Sequence, residues 1–159
     1  MDKARSLRDA FGTYPTGVTL ITLMEQGKAL AMTVNSFASV SLDPALILWS
    51  VDKRGNRYET FRDAERFAVN ILAADQQALA NACAAEAELD RTGVQWTAGA
   101  NGAPLVAGAI THLECERFAV HPAGDHDIIV GRITALDRPR EAPALVFHRS
   151  GYGKSDIRS

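Results

Sequence analysis

The densest polar run of the chain is Thr33-Val34-Asn35-Ser36-Phe37-Ala38-Ser39-Val40-Ser41, which sets four hydroxyls and an amide within nine residues. Short hydroxyls and amides bond readily to nearby backbone, so a well-capped turn is one reading of it. A polar wall is the other, because such groups and free backbone N–H donors can meet the carbonyls and ring nitrogens of a planar heterocycle. A second feature is Gly124-Asp125-His126, where a carboxylate adjoins an imidazole. Taken alone, a histidine after a glycine turn reads as a surface or capping residue. A third is Asp52-Lys53-Arg54-Gly55-Asn56-Arg57. Lys53, Arg54 and Arg57 could meet an anion there, helped by the N-terminus of a following helix. A solvated turn is the alternative.

The remaining reactive side chains carry less. His112, His121 and His148 have no metal-like spacing with one another or with cysteine, and no metal site is expected. Cys83 and Cys115 stand far apart and read as reduced, buried thiols. Trp49 lies in an apolar strand and reads as core. Trp96 is open between a lid and a dimer contact. No glycine-rich loop of the dinucleotide or nucleotide type is present, so any dinucleotide must bind in another mode.

These residues need a scaffold, and the bulk numbers bound it. The 159 residues suit a single domain spanning 1–159, and 47% apolar residues supply one core. With 23% charged residues and a formal net charge of −2, nothing points to nucleic acid or an anionic membrane. No apolar run approaches the roughly 20 residues of a membrane helix, and the polar start shows no secretory signal. With two unpaired thiols, these features predict a cytoplasmic protein.

The periodicity predicts a helix over 3–13, with Ala4, Leu7 and Phe11 on one stripe. Residues 18–24 and 29–34 read as a hairpin around Gln26-Gly27-Lys28. Residues 45–51 are apolar on both faces and predict a doubly buried strand. A helix over 56–64 with Asn56 as N-cap, a strand over 67–72 and an Asp75-capped helix to about residue 85 follow. Residues 86–107 show no firm period and predict a long excursion with at most one helical turn. Long strands over 108–121 and 127–138, a last strand over 144–148 and a polar tail complete the chain. Hairpin-linked strands with few short helices predict a mainly β fold, an antiparallel barrel rather than a doubly wound sheet.

The run at 33–41, followed by Leu42-Asp43-Pro44 and Leu46-Ile47-Leu48-Trp49-Ser50-Val51, resembles the flavin reductase domain family with an FMN-binding split-barrel fold. Four further segments match in order: Tyr14-Pro15-Thr16-Gly17-Val18, Phe67-Ala68-Val69-Asn70-Ile71-Leu72, Gly124-Asp125-His126 before Ile128, and the ending over 143–152. The resemblance implies an NAD(P)H-dependent reductase that passes a hydride to noncovalently held FMN or FAD, as the small component of a two-component monooxygenase. It also implies a homodimer with the flavin at the interface and a separate monooxygenase that receives reduced flavin. Thr33, Val34, Asn35 and Ser36 would line the isoalloxazine, with Ser39 and Val40 near the ring or ribityl chain. Thr16 and Tyr152 of the opening and closing segments join the flavin site. Ser50, Lys53, Arg54 and Arg57 belong to the phosphate-holding segment. Many members carry a Ser-x-Thr pair where this chain has Gly55-Asn56-Arg57, which leaves the phosphate ligands open. His126 would position NADH or NADPH, with Asp125 orienting its ring. A flavin-binding barrel without reductase activity, or a split-barrel oxidoreductase using another cofactor, are the alternatives.

Overall fold

The computed structural model describes residues 2–156. Its centre is a seven-stranded antiparallel sheet with strand order β3-β2-β6-β9-β10-β5-β4. The members are β2 (Thr19–Glu25), β3 (Lys28–Val34), β4 (Ala38–Leu42), β5 (Ala45–Asp52), β6 (Arg66–Ile71), β9 (Thr111–Ala123) and β10 (His126–Asp137). Two smaller sheets flank it. One joins β1 (Thr16–Gly17), β11 (Leu145–His148) and β12 (Gly151–Lys154), and the other pairs β7 (Trp96–Ala98) with β8 (Pro104–Val106). Three short α-helices, α1 (Lys3–Gly12), α2 (Tyr58–Asp63) and α3 (Gln77–Ala85), and two 3-10 turns complete the elements among the described residues. The fold is mainly β and antiparallel, as the hairpin spacing predicts.

Alternation decides which face of each strand is core. In β5, Ile47, Trp49 and Val51 are buried, while Leu46, Leu48 and Ser50 are half-buried. The strand is thus not doubly buried, and its apolar outer face stays partly open. Trp49 is fully buried, edge-on to Phe61 at 6.3 Å and to Phe67 at 6.2 Å between ring centroids. Gly131 permits this packing, since a Cβ there would stand 2.7 Å from Phe67 Cζ and 3.2 Å from Ile47 Cδ1. A second cluster, with Leu20, Leu72, Cys83, Leu89 and Val106, seals α3 and the excursion onto the other part of the sheet.

Several local expectations change. Asn56 does not cap α2; Arg57 holds that position and offers no side-chain cap bond. Asp75 lies in a 3-10 turn, Ala74–Gln76, and pairs with Arg140, while Gln76 accepts the Ala73 N–H at 3.0 Å. The excursion holds one 3-10 turn, Leu89–Thr92, but also the β7–β8 hairpin. Asn101 anchors it by donating to the carbonyls of Phe67 and Cys115, both at 3.2 Å. Trp96 packs against the second cluster and donates to Asp90 at 2.7 Å. The polar tail contributes β12, which pairs with β11 through Phe147 and Tyr152. No helix among the described residues is long and apolar enough to cross a membrane.

Candidate active site

Strand β3 runs into the loop at 35–37 and then into β4 at the far edge of the sheet. The sheet therefore curls, and the end of β3 lies beside the end of β5. Ser36 fastens this closure: its hydroxyl oxygen accepts the Ser50 N–H at 2.9 Å and its O–H donates to the Ser50 carbonyl at 3.3 Å. Thr33 is fixed in the same way, donating to the Ala80 carbonyl of α3 at 2.7 Å. Half of the polar run is thus capped structure, as the turn reading predicts. The other half remains available. Asn35 is exposed and makes no hydrogen bond within the described residues.

The closure leaves an open cavity of about 470 Å³, within the range of small-molecule sites. Met32, Thr33, Val34, Asn35 and Ser36 form one wall, Ser50 and Asp52 of β5 the floor, and His126 and Ile128 of β10 the other wall. A smaller, more apolar slot of about 160 Å³ shares Thr33, Val34 and Asn35 and continues to Val18, Ala84, Phe147 and Tyr152. Tyr152 is thereby brought to the site by the strand that the sequence pattern reads as tail. Thr16 sits on β1 opposite Phe147, and its buried Oγ1 has no hydrogen-bond partner among the described residues. A buried hydroxyl without a partner is costly, and a polar ligand atom there would remove the cost. Ser39 and Val40 lie apart from both cavities, on the exposed edge strand β4.

His126 opens β10 opposite Asp52 of β5 and Ala123 of β9. Its Nδ1 lies 2.7 Å from Asp125 Oδ1. That hydrogen bond holds the Asp125 carboxyl below its ordinary pKa, aided by the charges of His126 and Arg54. Arg54 donates from its side chain to both oxygens of Asp52, at 3.0 and 2.9 Å, and lies 3.6 Å from Asp125. The Arg54 side chain, and then its backbone N–H, pull the Asp52 carboxyl down to about 2. Lys53 donates from Nζ to the Gly124 carbonyl at 3.0 Å and from its backbone to the Asp125 carbonyl at 2.9 Å. Lys53 and Arg54 therefore tie down the turn that carries His126.

Arg57 points elsewhere. It donates to the Ala31 carbonyl at 2.7 Å, stands 5.9 Å from the Phe61 ring centroid, and forms no ion pair among the described residues. Burial lowers its pKa from the ordinary value. Cys83 and Cys115 are free and buried, and burial pushes their thiols up to about 11 and about 12. Among the described residues no group of three or more His, Cys, Asp and Glu is placed to hold a metal ion.

Known proteins are similar to this chain in sequence and fold. Residues 11–156 match the family described as the flavin reductase like domain. An NADH-dependent FMN reductase of Agrobacterium fabrum is 39% identical over 158 residues, which cover 96% of this chain and 87% of that protein. The chain spans 48% and 49% of two longer curated relatives. The solved flavin reductase component of a bacterial two-component tryptophan halogenase superposes with a TM-score of 0.90 at 38% identity, over 98% of this chain and 100% of that one. The NADH:FAD oxidoreductase of Streptomyces globisporus, solved with NAD and FAD fragments, gives 0.88 at 35% identity, over 97% and 93%. With the family match spanning residues 11–156 and relatives of this identity and coverage, the chain belongs to the flavin reductase like domain family.

Proposed function

We propose that this protein is an NADH-dependent flavin reductase acting on FMN or FAD in the cavity between β3 and His126. The observation that carries the reading is the pairing of two unlike walls across about 470 Å³: amide and hydroxyl groups on one side, and a carboxylate-held imidazole on the other. Flavin supplies the hydride acceptor at N5 and the nicotinamide the hydride donor at C4. The chain has three tasks. Asn35 and the free backbone groups of residues 33–36 orient the ring edge. Ser50 and Asp52 floor the site. His126, with its orientation fixed by Asp125, positions the nicotinamide for stacking at roughly 3–3.5 Å. Proton transfer is not asked of it.

Of the basic residues, Arg57 lines neither cavity and is assigned to the flavin phosphate on family likeness, with its lack of an ion pair among the described residues as support. Lys53 and Arg54 already compensate Asp52, Asp125 and Asp127, whereas burial lowers the pKa of Arg57, and an anion beside it would oppose that shift. Thr16, Tyr152, Ser39 and Val40 are assigned to the flavin site on family likeness. For Thr16 the support is its partnerless hydroxyl, and for Tyr152 its place in the smaller slot.

Homodimerisation is part of the proposal. The cavity is open, and on the β5 face that carries Ser50 and Asp52 the next two residues, Leu48 and Leu46, are apolar and only half-buried. A two-fold partner would supply the missing wall and cover this surface. Reduced flavin would pass to a separate monooxygenase, and two buried thiols with no disulfide fit a cytoplasmic home. Residues 1–159 would act as one domain. Flavin-dependent consumption of NADH, followed by nicotinamide absorbance with FMN and with FAD, tests the activity. Light scattering tests the dimer, and a flavin-saturable monomer would contradict it.

A further inference from the structure

Consecutive residues of β10 face opposite ways. His126 and Ile128 border the cavity, while Asp127 and Ile129 are 3% and 1% exposed. A carboxylate this deeply buried requires partners, and each oxygen of Asp127 has its own. The Tyr58 hydroxyl donates to Oδ2, and Lys53 Nζ stands 3.7 Å from Oδ1. Tyr58 opens α2, and the Arg62 guanidinium covers its ring at 4.8 Å while donating to its hydroxyl at 3.3 Å. Lys53 in turn holds the turn carbonyls of Gly124 and Asp125.

The consequence is mechanical. The turn at 124–125 is exposed, so little of the hairpin end is held by burial. Beyond its pairing with β5 and β9 and the Arg54 contact to Asp125, the hairpin end is held over the cavity by a set of bonds from the core side: Tyr58 to Asp127, Asp127 to Lys53, Lys53 to the turn. His126 is one residue along the same strand. A strand pinned at one residue fixes the direction of its neighbour's side chain, because both share a peptide plane.

We propose that Tyr58 and Asp127 are positioning residues for hydride transfer, setting the placement of His126 from the core face of β10. Neither touches a substrate. The inference rests on the reading that His126 borders the nicotinamide. Stacking within a few tenths of an ångström is the geometry to which such a step is sensitive, so a loosened hairpin shows in nicotinamide kinetics before it shows in flavin binding.

The test is a mutant cycle with steady-state kinetics at saturating flavin. Tyr58→Phe removes one hydroxyl and keeps the ring. Asp127→Asn keeps an acceptor for Tyr58 and serves as the second variant should the first fail to fold. Each is made alone and with His126→Ala. The expected result is a roughly fivefold to tenfold rise in the nicotinamide KM for each single variant, the scale of one ordinary hydrogen bond, because the loss reaches His126 only through the strand. The flavin Kd stays within about twofold, and no further rise appears in the His126→Ala background. An unchanged KM in folded variants overturns the proposal, as does an equal rise with and without His126. A wild-type protein that never oxidises NADH in the presence of flavin overturns the parent reading, and this one with it.

Discussion

His126 Nδ1 lies 2.7 Å from Asp125 Oδ1, a contact that fixes the imidazole plane at the mouth of the cavity and leaves Nε2 for another partner. Asp125 is itself braced by Arg54 at 3.6 Å. Asp125→Asn keeps the shape and removes the charge that strengthens this bond. The expected outcome is a roughly tenfold higher nicotinamide KM with flavin affinity unchanged. Steady-state kinetics combined with flavin fluorescence titration checks it, and a change confined to flavin affinity would contradict the assignment.

Ser36 and Asn35 are neighbours with separable tasks. Ser36 bridges the backbone of Ser50, whereas Asn35 has no hydrogen-bond partner among the described residues. Ser36→Ala leaves a half-buried N–H without its acceptor and should cost about 1–3 kcal/mol of stability. Asn35→Ala should shift stability by less than about 0.5 kcal/mol yet weaken flavin binding. Urea unfolding and flavin titration of both variants separate the two effects.

Cys83 and Cys115 should be inert in the native protein. Burial raises both thiols, to about 11 and about 12, so almost no thiolate exists near neutrality. Labelling with a chromogenic disulfide reagent should be slow until urea exposes both, then yield two thiols per chain. Rapid native labelling would refute the burial argument.

Acid should loosen the turn before the core. The lowered pKa of Asp52, about 2, contributes stability that is fully present above the unfolded value near ~3.9 and is lost as pH falls towards 2. Asp125 is shifted in the same direction by His126. Because these groups are exposed, the contribution is small and shrinks with added salt. Arg54→Met should flatten this part of the pH dependence of urea unfolding. An unaltered acid slope in that variant would contradict the pairing.

The sequence carried the long elements of this fold and less of its closure. The β2–β3 and β9–β10 hairpins are legible because turn residues with free φ, Gly27 at +77° and Gly124 at +67°, separate runs of apolar and β-branched residues. β1 has two residues and β12 is Gly151-Tyr152-Gly153-Lys154, too short or too rich in glycine to show a period. Their existence depends on pairing with β11, a contact across the chain that local pattern does not encode. β4 is exposed along most of its length, so its alternation is not written in apolar residues. Of the candidate site, the sequence marked Thr33, Val34, Asn35, Ser36, Ser50 and His126, which the fold brings to one cavity. The tethering role of Lys53 and Arg54 was hidden, because it depends on β5 and β10 lying side by side. The same pairing hid Tyr58 and Asp127. An aspartate inside an apolar strand, followed by Ile128 and Ile129, is the one signal that could have marked the latter.

The central claim is that the cavity holds a flavin with one face open to a nicotinamide beside His126. Anaerobic rapid mixing of the flavin-loaded protein with NADH tests it most directly. Loss of the oxidised flavin absorbance in a single turnover, slowed by deuterium at the transferred position of the nicotinamide and weakened by His126→Ala through the NADH concentration dependence, is the predicted result. Tight flavin binding with no reduction by NADH would contradict it and leave a flavin-binding barrel without reductase activity.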